Sequence, residues 1–510
     1  MSSKRVRFVT GLFVTAMVAA ACSPAPATTA PTAIPTTVPA TVNVATSTNS
    51  PPAAPTAAPL ARKLCQVTDL AGVNDHAFNA LAWTAAQAAA MDQGWEAAVL
   101  ESTLPNDYDP NLNTEVMSGA CGLILAVGGH IGPAAQAAGA AHADQKFLVV
   151  NYANKPDLPN VWNQLYATEQ GAFLAGYLAA AMSKTGKIAT FGGDIGPGDG
   201  DLEIGFQEGM QYYNAKHHAQ VVLLGWDTAK LDGSITSSYT DQGQGALLAK
   251  LQLADGADVI MPVAGQASLG AFAAVKAAGH ALVIGVGQDQ FTNAPEYQDI
   301  LLTSVVQRVD LAVQTAAKAL ADGRFQGGRH VGTLATGEIG LAPFHNLDGQ
   351  VPPSIAAELK QIAADIASGA ITVDNWSSLE TARFEQALAA LPKTGDASHG
   401  QALTVANDCV LCHMDPRCVN CGDAPGWLPN STDATPPNEG IATRAQHRFK
   451  DPDYTGAATS ADGYLLESII EPNAYVVHGF QIPSIMPSSF GKKLSPQDLA
   501  DIIAYLDTLK

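Results

Sequence analysis

Cys409-Val410-Leu411-Cys412-His413 constrains this chain more than any other stretch. Two thiols three positions apart fall on one helical turn. They can reach the two vinyl groups of a haem, and the next residue offers an imidazole to the iron from the same side. C-x-x-C-H is the attachment signature of c-type haem. It predicts one covalent haem c on Cys409, Cys412 and His413. The flanks support this better than zinc or a simple disulfide. A helix-like stretch starting at Gly400-Gln401-Ala402-Leu403 runs into Cys409, and Ile485-Met486-Pro487 supplies a thioether on an irregular segment. The last residues form an amphipathic helix, with Leu499, Ile502, Ile503, Leu506 and Leu509 as its apolar stripe. Ser495 caps that helix, Pro496 fills its first position and Asp498 favours its positive end.

That order of helix, C-x-x-C-H, Met-Pro and terminal helix resembles a class I cytochrome c domain over residues 394–510. The resemblance implies an electron carrier with His413 proximal and Met486 distal to the iron. It also implies crossed first and last helices, with Gly400 close to Tyr505. Met414 adjoins His413 and cannot reach the opposite haem face, so His447 and His478 are the competitors for the distal place. Gly440–Arg444 and Tyr464–Ile469 resemble the middle helices of small bacterial cytochromes, and Pro425–Leu428 is expected along one haem edge. Cys418-Val419-Asn420-Cys421 lacks the following histidine. It reads as a local disulfide, with a metal site as the alternative.

The N-terminus is a targeting signal. Lys4, Arg5 and Arg7 precede an apolar run, Phe8–Ala21, too short for a confident membrane span. Ala19-Ala20-Ala21-Cys22 resembles a bacterial lipobox, which implies residues 1–22 as signal and lipid-anchoring on Cys22. Ordinary cleavage to a soluble product is the alternative. Residues 23–61 are almost wholly Pro, Ala, Thr, Ser and Val, a composition that cannot build a core. As an extended tether they reach roughly 100 Å at ~3.1 Å per residue. A net charge of −20 argues against a nucleic-acid partner. The expected location is extracytoplasmic, anchored to a bacterial membrane.

From Arg62 strands alternate with helices. Leu64–Thr68, Gly122–Val127 and Phe147–Val150 form one series; Lys187–Phe191, Val221–Leu224, Asp258–Met261 and Ala281–Ile284 form a second. Such alternation predicts parallel sheets in two lobes, with ligands at the strand carboxyl ends. Cys65 and Cys121 open strands that neighbour each other in the common 2-1-3 order, so a disulfide between them is geometrically plausible in an oxidising compartment.

Several motifs in this region resemble the basic membrane lipoproteins, the nucleoside-type binding proteins of ABC importers. They are Thr68-Asp69 with Asn74–Asn79, Glu169–Tyr177, Phe191-Gly192-Gly193, Gly205–Gly209, Gly256–Ile260, Ala264-Gly265, Ile284–Val286 with Asp289-Gln290, and Leu302-Thr303-Ser304. The resemblance covers residues 62–374. It implies a two-lobe periplasmic-binding-protein-like α/β fold (type I), a small-molecule solute and an ABC permease as partner. Phe78 can stack on a planar group or serve as core. Asp69, Asp75 and Asp289, with Asn79, can hydrogen-bond a solute, and Asp75 can also cap a helix. The chain departs from the family at three places. Gly287 replaces an acid, Gln307 a lysine and Ser268 a glycine. Losing the two charges argues for a planar or hydroxylated solute other than a standard ribonucleoside.

Residues 375–393 read as a linker. Asp194, Asp199 and Asp201 read as a lobe-connecting loop rather than a calcium site, and His217-His218 as a solvated helix end. No Walker A, H-E-x-x-H or G-x-S-x-G signature is present, so a hydrolase is not indicated and no catalytic residue is assigned. The whole reads as an anchored solute-binding protein carrying an electron-transfer haem, which needs a redox partner protein. One alternative is a redox carrier whose binding domain is a ligand sensor or docking module. Another is an oxidoreductase passing electrons from its solute to the haem.

Overall fold

The computed structural model describes residues 62–70, 72–75, 78–152, 156–413, 427, 440–452, 454–476, 486 and 490–510, without the side chains of 411 and 412. Cys22, the tether, Met414, Cys418, Cys421, His478 and the Cys412 side chain lie outside the described residues.

The first lobe begins β1 (Lys63–Thr68), α1 (Phe78–Gln93), β2 (Glu96–Leu100), α2 (Tyr108–Ser118), β3 (Cys121–Val127), α3 (Gly132–Ala141), β4 (Phe147–Val150) and β5 (Val161–Tyr166). The second follows with α4 (Thr168–Met182), β6 (Lys187–Gly192), α5 (Pro197–His217), β7 (Val222–Leu224), β8 (Trp226–Asp227), β9 (Asp232–Gly233), α6 (Gln242–Ala254) and β10 (Val259–Val263). It continues with α7 (Ala267–Ala278), β11 (Leu282–Gly287), α8 (Gln290–Asn293) and β12 (Leu301–Gln307). The chain then returns to the first lobe for α9 (Val309–Ala321) and β13 (Gly328–Gly332), and crosses back for β14 (Ile339–Leu341) and α10 (Pro353–Ala367).

Sheet order is β2-β1-β3-β4-β5-β13 in the first lobe and β7-β6-β10-β11-β12-β14 in the second. Within these two sheets all pairs are parallel except β12 with β14, and β8 pairs antiparallel with β9 apart from them. Continuous apolar strands such as Leu123–Val127 are buried on both faces, as covered parallel strands must be. The helix α1 buries Ala82, Ala85, Ala86, Ala89 and Ala90 against Val309, Val313, Ala316 and Ala317 of α9. The sequence order hides this pairing, because α9 follows the second lobe yet completes the first.

Two loop readings change. Asp194, Asp199 and Asp201 do not join the lobes; Asp194 lies between β6 and α5 of the second lobe, and Asp199 and Asp201 lie in the first turns of α5. His217 does end α5, but its Nε2 lies 2.9 Å from the Tyr177 hydroxyl and 2.9 Å from Glu358 of α10. Tyr177 also donates to Glu358.

Cys65 and Cys121 are joined in a disulfide between the neighbouring strands β1 and β3, 56 positions apart. A loop of that length is stabilised by about 4 kcal/mol of denatured-state entropy. We expect the double variant Cys65→Ala, Cys121→Ala to lose about that much unfolding free energy in urea, with the first lobe affected.

The remainder is helical: α11 (Trp376–Ala390), α12 (Ala397–Ala406), α13 (Cys409–His413), α14 (Ile441–Arg448), α15 (Ala461–Ile470), α16 (Phe490–Lys493) and α17 (Pro496–Leu506). Helices α12 and α17 cross at Gly400, where a Cβ would stand 1.9 Å from the Asp501 carbonyl oxygen. The close approach expected near Tyr505 therefore falls one turn earlier, at Asp501. Ser495 accepts from the Asp498 backbone N–H and Asp498 returns the bond, a reciprocal cap on α17.

The crossing is pinned by a charged pair. His399 Nδ1 lies 2.7 Å from Asp501 Oδ2, and Asp501 Oδ1 accepts from the Asp396 N–H at 2.7 Å. Hydrogen bonding to Asp501 raises His399 above its usual 6.5, and the same bond lowers Asp501 below 3.8. The His399 contribution is complete below 6.5 and fades as pH rises through its raised value. The Asp501 contribution is complete above 3.8 and fades as pH falls through its lowered value. Melting of the helical domain should be highest between about pH 4 and 6.5, and His399→Gln should flatten the decline on the alkaline side.

Candidate functional site

The opening of α1 is held by carboxylates. Asp75 is buried; its Oδ2 accepts from the Asn79 N–H at 2.9 Å and from Asn79 Nδ2 at 3.0 Å, and its Oδ1 accepts from the Ala80 N–H at 3.0 Å. Asp69 Oδ1 accepts from Asn79 Nδ2 at 2.9 Å. Asp69, Asp75 and Asn79 are thus one network at the carboxyl end of β1. Asn79 Oδ1 is buried with no hydrogen-bond partner among the described residues, which leaves an acceptor for a solute donor.

Phe78 is half-buried at the start of α1. Opposite it stands Gly287 at the end of β11, with φ at +89°, where a Cβ would lie 3.7 Å from Phe78 Cε1 and Cζ. The carboxyl end of β11 in the second lobe therefore meets the start of α1 in the first. A side chain in place of Gly287 would share that space with the Phe78 ring, and its backbone conformation favours glycine.

Asp289 caps α8 by accepting from the Phe291 N–H at 3.2 Å, and its other oxygen lies 2.8 Å from His345 Nε2. His345 stacks on Phe291 with centroids 4.0 Å apart and planes 13° from parallel. Each Asp289 oxygen is therefore already engaged. Ser304 accepts from the Gln290 N–H at 3.1 Å. Gln307 Oε1 and Gln288 Nε2 are buried without partners among the described residues. Sequence reasoning passed over His345, because nothing in Phe344-His345-Asn346 announces that it folds back onto Asp289.

In the helical domain His413 ends α13, and its ring lies against Trp427 with centroids 4.7 Å apart and planes 1° from parallel. The Trp427 N–H donates to the His413 carbonyl at 2.8 Å. Cys409 and Met486 both pack against the core formed by Trp427, Ile441, Tyr464, Leu465, Phe490 and Leu506. One thiol, an imidazole and a thioether thus border a single apolar core, a donor set that fits a c-type haem. His447 is exposed on α14.

The family model for PnrA-like ABC transporter substrate-binding proteins (Bmp) matches residues 63–372, and that for cytochrome c matches 397–510. The chain belongs to the Bmp family and carries a cytochrome c domain. Among Bmp relatives, the nucleoside-binding protein BmpA of Lactococcus lactis is 29% identical over 61% of this chain and 88% of its own length. Basic membrane protein A of Borreliella afzelii is 27% identical over 54% of this chain and 80% of its own. An uncharacterised lipoprotein of Pyrococcus furiosus is 28% identical over 56% and 71%. The Bmp region also shares its fold with the ABC solute-binding protein of Aeropyrum pernix (TM-score 0.55, 24% identity, 64% of this chain and 97% of that one). A Conexibacter woesei counterpart gives a TM-score of 0.50 at 21% identity, over 62% of this chain and 99% of that one. The two-lobe fold and the C-terminal haem domain expected from the sequence are both present. Among the described residues no helix of this Bmp protein is long and apolar enough to cross a membrane.

Proposed function

We propose that this protein is a lipid-anchored extracytoplasmic receptor that delivers a small solute to an ABC permease and carries one covalent haem c for electron transfer. The observation that carries the solute-binding half is Phe78 of one lobe facing Gly287 of the other, beside the open acceptor on Asn79. Closing such a cleft strips water from each polar group, so an unmatched solute is rejected. Asp69 and Asp75 orient Asn79, Phe78 covers the solute, and Asp289 holds His345 at the rim. Cys409 and Cys412 would attach the haem, and His413 and Met486 would hold its iron. The group supplies a one-electron couple, and His/Met ligation favours a raised potential. The Cys22 anchor and the tether through residue 61 would set both domains away from the membrane. Mass spectrometry of the solute retained by the purified protein tests the receptor reading. Recovery of no solute from cells, together with no binding to any small molecule in a thermal-shift panel, would reject it.

A second reading, the binding domain as a ligand sensor for the redox domain, is favoured by α11. Its Trp376 is buried against Trp226 and Leu231 of the second lobe, and its Phe384 is buried in the haem-domain core. Solute-dependent change in the haem midpoint potential would select this reading.

A further inference from the structure

The second lobe holds two acids that the solute site described so far does not use. Asp199 stands in the first turn of α5, and its Oδ2 accepts from the Gly193 N–H at 2.7 Å, the Asp194 N–H at 3.2 Å and the Tyr239 hydroxyl at 3.1 Å. Four residues on, and so on the same helix face, Glu203 is 0% exposed. Both its carboxylate oxygens are buried with no hydrogen-bond partner among the described residues. No lysine or arginine forms an ion pair with either acid among the described residues. Burial pushes Asp199 up to about 6, and burial with the Asp199 charge holds Glu203 well above the usual carboxylate range. An isolated buried carboxyl of this kind is costly unless something cationic or hydrogen-bonding comes to meet it.

The topology puts Asp199 at the carboxyl end of β6, on the cleft side, with Glu203 one turn deeper along α5. Gly192 closes β6 and pairs in register with Val263 at the end of β10, and β10 runs parallel to β11, whose last residue Gly287 faces Phe78. Tyr239 lies over both Gly193 and Gly265, the residues that follow β6 and β10. All three carboxyl ends therefore open on the same side, toward the first lobe. Two strand spacings separate β6 from β11, roughly 10 Å. A net charge of −20 adds a long-range pull on cations.

Building on the solute-receptor reading, we propose that Asp199 and Glu203 form a subsite for an ammonium or guanidinium group. The solute is then an organic cation whose planar or apolar body extends toward Phe78 and Gly287. Tyr239 holds Asp199 in place at the mouth, and Glu203 supplies the deeper acceptor. Gln307, neutral where the family resemblance implies a lysine, leaves no positive charge there to repel such a cation.

The test is calorimetric titration of the full-length, haem-loaded chain with 4-phenylbutylammonium and with its neutral isostere 4-phenylbutanol. The cation should bind at least ten-fold more tightly than the alcohol. Glu203→Gln should close that gap while melting no lower than the parent, since it removes a buried carboxyl. Equal affinity for the two probes, an unchanged gap in Glu203→Gln, or binding of neither probe overturns the cation subsite. If a neutral solute is nevertheless recovered from the purified protein, the receptor reading stands without the subsite; if none is recovered and none binds, both fall.

Discussion

Cys412→Ala leaves the chain without stable covalent haem. Cys409, Cys412 and His413 occupy one turn, α13, so attachment and ligation depend on a single local geometry. On the proposed attachment, removing one thiol would remove one of the two bonds that hold the haem. The measurement is haem retention after denaturing electrophoresis, and full loading in this variant would sink the assignment. Met486→Ala separates ligation from attachment. Met486 packs on the same core as Cys409, whereas His447 is exposed on α14. The variant should keep its covalent haem, lose the Met–iron charge-transfer band and show a lower midpoint potential.

The features legible in the sequence were those written locally. The C-x-x-C-H turn, the Ser495 cap and the alternating strands of each lobe all depend on residues near one another in the chain. The 2-1-3 strand order followed from the rules for parallel sheets, and so did the neighbourhood of Cys65 and Cys121. What stayed hidden depends on distant chain. The return of α9 and β13 to the first lobe, the bond from His345 to Asp289 and the burial of Glu203 cannot be read from periodicity. The departure at Gly287 was visible as a lost acid. Its positive φ and its closeness to Phe78 were not. The segment 375–393 shows the same limit. It reads as a linker because it follows one domain and precedes another. Yet Asn375 accepts from the Ser378 N–H at 2.8 Å and starts a fifteen-residue helix. A capping residue before Trp376, Leu379 and Phe384 was the available signal.

Trp376→Ala uncouples the haem domain from the second lobe. Trp376 is 8% exposed among Ile204, Trp226 and Leu231, and its backbone N–H, which the substitution keeps, donates to Asp201 Oδ1 at 2.6 Å. Its ring occupies the space a Cβ at Gly200 would need, 2.3 Å from Cε3, so the pocket is shaped for it. Truncating a buried tryptophan costs about 3–5 kcal/mol. The other ties are weaker. Arg383 Nη2 donates to the Ala229 carbonyl at 3.0 Å, Arg383 Nη1 lies 3.9 Å from Glu471, and Lys492 lies 3.9 Å from Asp232. The Lys492–Asp232 pair is exposed and contributes little by itself. Burial, with the neighbouring Glu380 charge, pushes Glu471 up to about 7, and burial raises Glu380 too. Because these values lie above the ordinary 4.5, their contribution is complete below that pH and is lost as pH rises through about 7. The parent protein should therefore unfold in one calorimetric transition at pH 6. Trp376→Ala should resolve into two at that pH, one reported by the haem and one by the solute domain, with their separation widening at pH 8. Phe384→Ala should instead lower the haem-domain transition alone, because that side chain belongs to the helical core. A single, undivided transition in Trp376→Ala would show that α11 does not join the two domains, and with it would go the structural case for the binding domain as a sensor of solute for the haem.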